Sequence, residues 1–149
     1  MFLILAAPSL DASDVSAEAE RLVHLMGDSE ATQEQRNIAQ ESLFKLGKAA
    51  IQTLINSLHD QRIFYAQYMP LNTRDLSDKW RYDRKVGAEC DFLLLRIISN
   101  DHCWGPRLEP YRTYKVTDWP AWWKTHKDMS LEMIQKEVYE WQRQHPYRK

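Results

Sequence analysis

"RNIAQESLFKLGKAAIQTLINSLHD", residues 36–60, carries two apolar stripes of helical spacing on either side of a single glycine. Ala39, Leu43 and Leu46 line one face of the first half, and Ala50, Ile51, Leu54, Ile55 and Leu58 line one face of the second. Spacings of three and four return a side chain to the same side of an α-helix, so each half is expected to be a helix with one buried stripe. Gly47 stands between them, which predicts a tight turn and an antiparallel helical pair. Upstream, Thr32 followed three positions later by Gln35 has the form of a capping box, where each side chain accepts a backbone N–H at the helix start.

Two more stripes flank this pair. Val15, Ala19, Leu22, Val23 and Met26 define a first helix, with Gly27 placed for a left-handed C-terminal cap. Val86, Cys90, Leu93, Leu94 and Ile97 define another, running to about Ser99 or Asn100. Farther on, Tyr111, Tyr114 and Val116 suggest a short strand or a strap across the helices. Asp118 has the chemistry to cap a helix whose first turn accepts Pro120, and Ser130 can cap a last helix. That last helix should turn Leu131, Ile134, Val138 and Trp141 inward and Glu132, Lys136, Glu140 and Arg143 outward. Trp119, Trp122 and Trp123 share one helix face, and leaving them bare would expose several hundred Å² of apolar surface. They are therefore expected to act with Trp141 as structural anchors sealing the helical stack, an indole N–H reaching a helix-end carbonyl.

Residues 36–60 resemble a HEAT-type repeat through Arg36, Ala39, Leu43, Leu46-Gly47, Ala50, Ile51, Leu54, Ile55, Leu58 and Asp60, with Gln52 where such repeats usually carry proline. "VGAECDFLLLRII", residues 86–98, reads as the first helix of a following unit, and the W-x-x-W-W segment resembles the C-terminal part of bacterial HEAT-like proteins. The resemblance implies an all-α fold: a short HEAT-like helical array over 1–149 as one domain, with a long loop insertion at 61–85 and a tryptophan-rich helical cap at 118–145. It also implies a scaffold that binds another protein rather than a reaction.

Composition narrows the remaining classes. Lys+Arg 20 against Asp+Glu 21 gives a net charge of −1, so no global field draws the chain to nucleic acid or to anionic lipid. With 28% charged and 44% hydrophobic residues the balance is globular, and no run approaches the roughly 18 apolar residues of a membrane span. The opening "MFLILAAPSLDASD" has an apolar run at residues 2–7 with no Lys or Arg before it; residues 1–13 read equally as the remnant of a signal peptide or as an N-terminal arm. Localisation depends on that choice: periplasmic or secreted in the first case, cytoplasmic in the second. So does the state of Cys90 and Cys103, a candidate disulfide in an oxidising compartment and two thiols elsewhere.

The sequence offers no catalytic apparatus, no cofactor site and no metal site. Its five histidines lack paired metal spacing, and neither a nucleophile elbow nor a phosphate-cradling glycine loop is present. Asp101, His102 and Cys103, with Cys90 as a fourth group, would be a zinc set only if consecutive residues could converge on one point. The chain is therefore expected not to be an enzyme. The best contact region is "DQRIFYAQYMPLNTRDLSDKWRYDRK", residues 60–85, a long aperiodic segment mixing aromatics with charges. Its candidate partner-binding residues are Arg62, Tyr65, Tyr68, Trp80, Arg81, Tyr82 and Arg84. "KWRYDRK" has the mixture that can stack bases and neutralise phosphates, but Asp78 and Asp83 interrupt it, so another protein is the expected partner. A toxin-neutralising, immunity-like or inhibitor-like role is the alternative, with nucleic-acid binding behind it.

Overall fold

A computed structural model describes residues 11–70, 79–100 and 114–145, apart from the side chains of residues 12, 68–70, 79 and 80. In chain order the elements are α1 (Ala12–Met26), α2 (Gln33–Leu46), a 3-10 turn (Gly47–Ala50), α3 (Ile51–Asn56), β1 (Ile63–Pro70), β2 (Lys79–Lys85), α4 (Val86–Ile98), α5 (Trp119–His126) and α6 (Leu131–Gln144). The chain is mostly helical, with one small two-stranded antiparallel sheet.

The helix starts follow the sequence signals. Thr32 accepts the Gln35 N–H at 3.2 Å while Gln35 accepts the Thr32 N–H at 2.8 Å, the reciprocal box that begins α2. Asp118 takes the Ala121 N–H at 2.9 Å and Ser130 the Met133 N–H at 3.2 Å, opening α5 and α6. Gly47 has φ +59° and ψ −128°, a backbone state that a side chain would strain, and Leu131 of α6 packs directly over it. Each cap satisfies donors that the helix itself leaves unpaired.

Three expectations are corrected. The helical pair is α1 with α2, joined through residues 27–32, whereas α3 packs on α1 and α4 instead of running back along α2. Gly27 does not take a positive φ; it is small because the Arg62 side chain lies on it, with Cζ and Nε 2.7 Å from where a Cβ would stand. Most consequential, the supposed loop at 61–85 is a β-hairpin, paired from Ile63↔Lys85 to Pro70↔Lys79 with a bulge between Ile63 and Tyr65. Its strands hold Ile63, Phe64, Tyr65 and Tyr82, the branched and aromatic types that suit a pleated surface. Where a strand or strap was expected near Tyr111–Val116, the described part, from Tyr114, is a strap without strand pairing; Tyr111 lies outside the described residues.

One core joins these elements. Leu22 and Met26 of α1, Leu43 of α2, Ile51 and Leu54 of α3, Leu93, Leu94 and Ile97 of α4, and Ile134 and Val138 of α6 are buried together. α4 is central, packing on α2, α3, α6 and the base of both strands, and Cys90 is fully buried on its inner side. Burial pushes the Cys90 thiol up to about 12, as expected of an inert core cysteine. Its proposed bridging partner, Cys103, lies outside the described residues, as do residues 1–10.

The C-terminal cap is an aromatic assembly. Trp119 is 4% exposed and joins the core, whereas Trp122, Trp123 and Trp141 are partly buried. The indole N–H groups reach side chains rather than the expected helix-end carbonyl: Trp119 donates to Asp91 Oδ1 at 2.6 Å and Trp122 to the Tyr114 hydroxyl at 3.2 Å. Trp119 meets Trp122 edge-on at 5.4 Å, Trp122 stacks on His126 at 4.0 Å, and Tyr114 meets Trp141 edge-on at 5.3 Å. His126 Nε2 lies 3.1 Å from Glu137, tying α5 to α6, and Gln135 donates to the Ile97 carbonyl at 2.9 Å, closing the end of α4.

Two stability outcomes are expected. Trp119→Ala should cost about 3 to 5 kcal/mol, the range for emptying a large aromatic site, and Trp123→Ala clearly less; denaturant melts of the two variants check the order. At Gly87 a Cβ would fall 2.2 Å from the Leu58 carbonyl oxygen, which is backbone and cannot swing aside. Gly87→Ala should therefore destabilise by about 1 to 3 kcal/mol or more, the usual range for forced overpacking, although alanine favours helices; an unchanged melting temperature would contradict the close approach.

Candidate functional site

The hairpin leaves the helical body between α3 and α4, and its two ends are held together there by backbone bonds. Val86 N–H donates to the Arg62 carbonyl at 2.9 Å and Gly87 N–H to the Asp60 carbonyl at 3.0 Å, so the first donors of α4 are spent on the segment that enters β1. Asp60 then grips Arg62 through both carboxylate oxygens, at 3.1 and 3.0 Å to Nε and 2.6 Å to Nη2, and accepts the Arg62 N–H at 2.9 Å. This pairing holds the Asp60 carboxyl below its ordinary value and raises the Arg62 guanidinium. Arg62 continues to the His24 carbonyl at 3.2 Å, a cation placed at the C-terminal end of α1, where the helix dipole favours it.

Arg36 of α2 is the second strut. It donates to the carbonyls of Asp28 at 2.7 Å, Phe64 at 3.1 Å and Ile63 at 3.4 Å, binding the α1–α2 link to the start of β1. A guanidinium spreads its donors over separate nitrogens in one plane, so Nη2 reaches the Asp28 carbonyl while Nη1 reaches those of Ile63 and Phe64.

On the other side of the hairpin base, Arg84 reaches α4. Its Nε lies 2.6 Å from Oε2 of Glu89, a carboxylate with no solvent exposure, and Gln40 of α2 donates to Oε1. The Arg84 contact lacks hydrogen-bond alignment, so it is an ion pair and Oε2 keeps acceptor capacity. Burial pushes the Glu89 carboxyl up, against the pull of Arg84, Gln40 and Arg96. Arg84 lies 5.0 Å from the centre of the Phe92 ring, and Arg96 lies 4.2 Å from Phe44 and 5.8 Å from Phe92 while pairing with Glu41 at 2.8 Å. The result is a ladder of alternating cations and rings along α2 and α4.

The candidate residues therefore divide by height along the arm. Arg62 and Arg84 are part of its foundation. Tyr65, opposite Arg84, is partly buried against the core and donates to Gln67 at 3.0 Å. Arg81 is exposed and pairs with Asp83 at 2.6 Å, and Tyr82 is 42% exposed. The backbones of Tyr68 and Trp80 lie in the strands, in register with Arg81 and Met69, but their side chains are outside the described set. Sequence reasoning missed the roles of Arg36, Gln40 and Glu89, since nothing in the pattern marks a helix polar position as facing a hairpin. Asp101, His102 and Cys103, weighed as zinc ligands, also lie outside the described residues. Among the described residues no group of three or more His, Cys, Asp and Glu side chains could hold a metal ion, and no helix is long and apolar enough to cross a membrane.

Glu89 gives the arm's foundation a pH signature. Because its folded value is raised above the ordinary 4.5, the folded chain keeps a proton that the unfolded chain has already released. Its contribution to stability therefore falls as pH rises from 4.5 through the raised value. Asp60 acts the other way: its folded value is lowered from 3.8, so its contribution is present above 3.8 and is lost as pH falls through the lowered value. Glu89→Gln should flatten the first slope and leave the second; urea unfolding at a series of pH values reads both. No protein family model, curated protein or solved structure matches this chain.

Proposed function

We propose that the chain is a non-enzymatic protein-binding module whose hairpin is the contact element. The observation that carries this reading is an exposed outer hairpin on a firmly held base. Ala66, Gln67, Arg81 and Tyr82 are exposed, while residues 60–64 and 84–87 are tied into the helical body by backbone bonds and by Arg36, Arg62 and Arg84. A two-stranded ribbon is marginal in water by itself, and strands of 8 and 7 residues extend well beyond what the base needs. Tyr and Arg are also the side chains that contribute most at interface centres, because they offer area and polar atoms at modest entropic cost.

A HEAT-like kinship fits the capped α2 and the Gly47 turn; α3, lying on α1 and α4, departs from regular repeat stacking. The binding reading rests on the hairpin and does not need the repeat.

Photo-reactive residues placed singly at Tyr82 and, as a control, at Glu132 on the exposed face of α6 test the proposal in the native host. A discrete protein adduct from position 82 and none from 132 is the expected result. Adducts from 132 alone would move the contact surface to α6 and overturn the assignment.

A further inference from the structure

We infer that the groove beneath the hairpin receives an extended acidic segment of the partner, with an apolar side chain of that segment seated beside Trp119. The inference rests on the protein-binding reading and adds to it the chemistry of what is bound.

Two open clefts meet at the base of the arm and share Gln61 and Lys85. The first, of about 640 Å³, is walled by Arg36, Arg62, Arg81 and Lys85, with Gly27 and Ser29 at one end. Neither a carboxylate nor an aromatic ring lines it among the described residues. Asp60 and Asp83 pair with two of its arginines from outside the lining, and Asp28 stands near Arg62. Arg36 spends its hydrogen bonds on carbonyl oxygens, and among the described residues it has no carboxylate contact. Among the described residues, four cations line this cleft and Asp28, Asp60 and Asp83 stand near it, a local positive balance in a chain whose net charge is −1.

The second cleft, of about 410 Å³, has a different character. Leu58, Gly87, Ala88 and Trp119 give it an apolar floor, while Asp60 and Asp91 put carboxylates at its wall, Asp91 already receiving the Trp119 N–H. An anionic chain running the whole length of the groove would meet those carboxylates, whereas a segment acidic at one end and apolar at the other would not. The charge order therefore sets the polarity of the ligand, acid toward Arg36 and Arg81, apolar toward Trp119. The same order disfavours nucleic acid, since a phosphate backbone carries its charge evenly and the cationic cleft offers no described ring on which a base could stack.

The test is selection of binders from a displayed library of random twelve-residue peptides, run in parallel on wild type and Lys85→Glu, with Lys136→Glu on α6 as a surface control. Lys85 lines both clefts, and a glutamate at the cap of α4 suits the helix dipole, so the variant should fold; Lys85→Gln is the second variant if it does not. Wild type and Lys136→Glu are expected to enrich peptides with clustered Asp and Glu and one large apolar residue. Lys85→Glu should bind the same peptides at least about tenfold more weakly and Lys85→Gln several-fold more weakly. Binders without acidic clusters, binders indifferent to Lys85, or no enrichment would each overturn the inference. So would tight binding of a fluorescein-labelled oligothymidine at about 200 mM salt. A protein adduct from position 82 alongside any of these failures would leave the binding module standing and remove only the groove.

Discussion

The N-terminus of α4 seated on the backbone of residues 58–62 is the constraint on which the rest of this molecule depends. Gly87 lets the helix approach the Leu58 carbonyl as closely as backbone can, and at that distance the N–H groups of Val86 and Gly87 reach the carbonyls of Arg62 and Asp60. The helix start is thus satisfied by the strand entrance, and the hairpin is closed at its root without a side-chain cap on Lys85. Because α4 is also the helix against which α2, α3 and α6 pack, its position transmits to the whole core. A hairpin inserted at this point is held at the centre of the fold rather than hung from its edge.

Two of the arginines at the arm, Arg36 and Arg62, reach carbonyl oxygens gathered at its base. The C-terminal end of α1, the α1–α2 link and the bulged start of β1 all present acceptors close together, and Arg36 and Arg62 are the donors that reach them. Leaving buried carbonyls unpaired costs on the order of 1 to 3 kcal/mol each, more than a surface ion pair returns, so the charge is retained for its N–H groups. The presence of Arg36 and Arg62 in the lining of the groove is then a consequence of structural need. Lys85 is different: it lines both clefts, and among the described residues it takes part in no ion pair that holds the base.

What could be read from sequence follows from where burial is periodic. Helices α1, α2, α4 and α6 each bury one stripe against a common core, so Leu22–Met26, Ala39–Leu43, Leu93–Ile97 and Ile134–Val138 announce themselves, and the side chains of Thr32, Asp118 and Ser130 mark where helices begin. The hairpin left no such trace. Among the described side chains only those at its base are buried, so Phe64 and Tyr65 are inward while Ala66, Gln67, Arg81 and Tyr82 meet solvent, and the alternation that identifies a half-buried strand does not develop across them. Its remaining signal was composition: aromatic and branched residues in two runs separated by Asn72, Asp75 and Ser77. The buried pairing of Glu89 with Arg84 and Gln40 was beyond any periodicity argument, since a carboxylate on the inner side of an apolar helix becomes intelligible only when its cation arrives from another element.

The tryptophan segment is divided between the core and its margin. Trp119 is held by the core and by Asp91, and through it α5 is fixed against α3 and α4. Trp122 and Trp123 pack at the margin of the core and stay partly exposed, stacked on one another, with His126 stacked on Trp122. Helical spacing placed all three on one face, but a face is wide, and the residue at the helix start is the one that meets the junction of α3 and α4. Since Trp119 also floors the apolar half of the groove beneath the hairpin, the residue that closes the helical stack is the residue against which a bound side chain would rest. With the groove as the inferred binding site, stability and recognition would draw on the same ring, which is why a surface charge such as Lys85, and not the tryptophan, would separate one from the other.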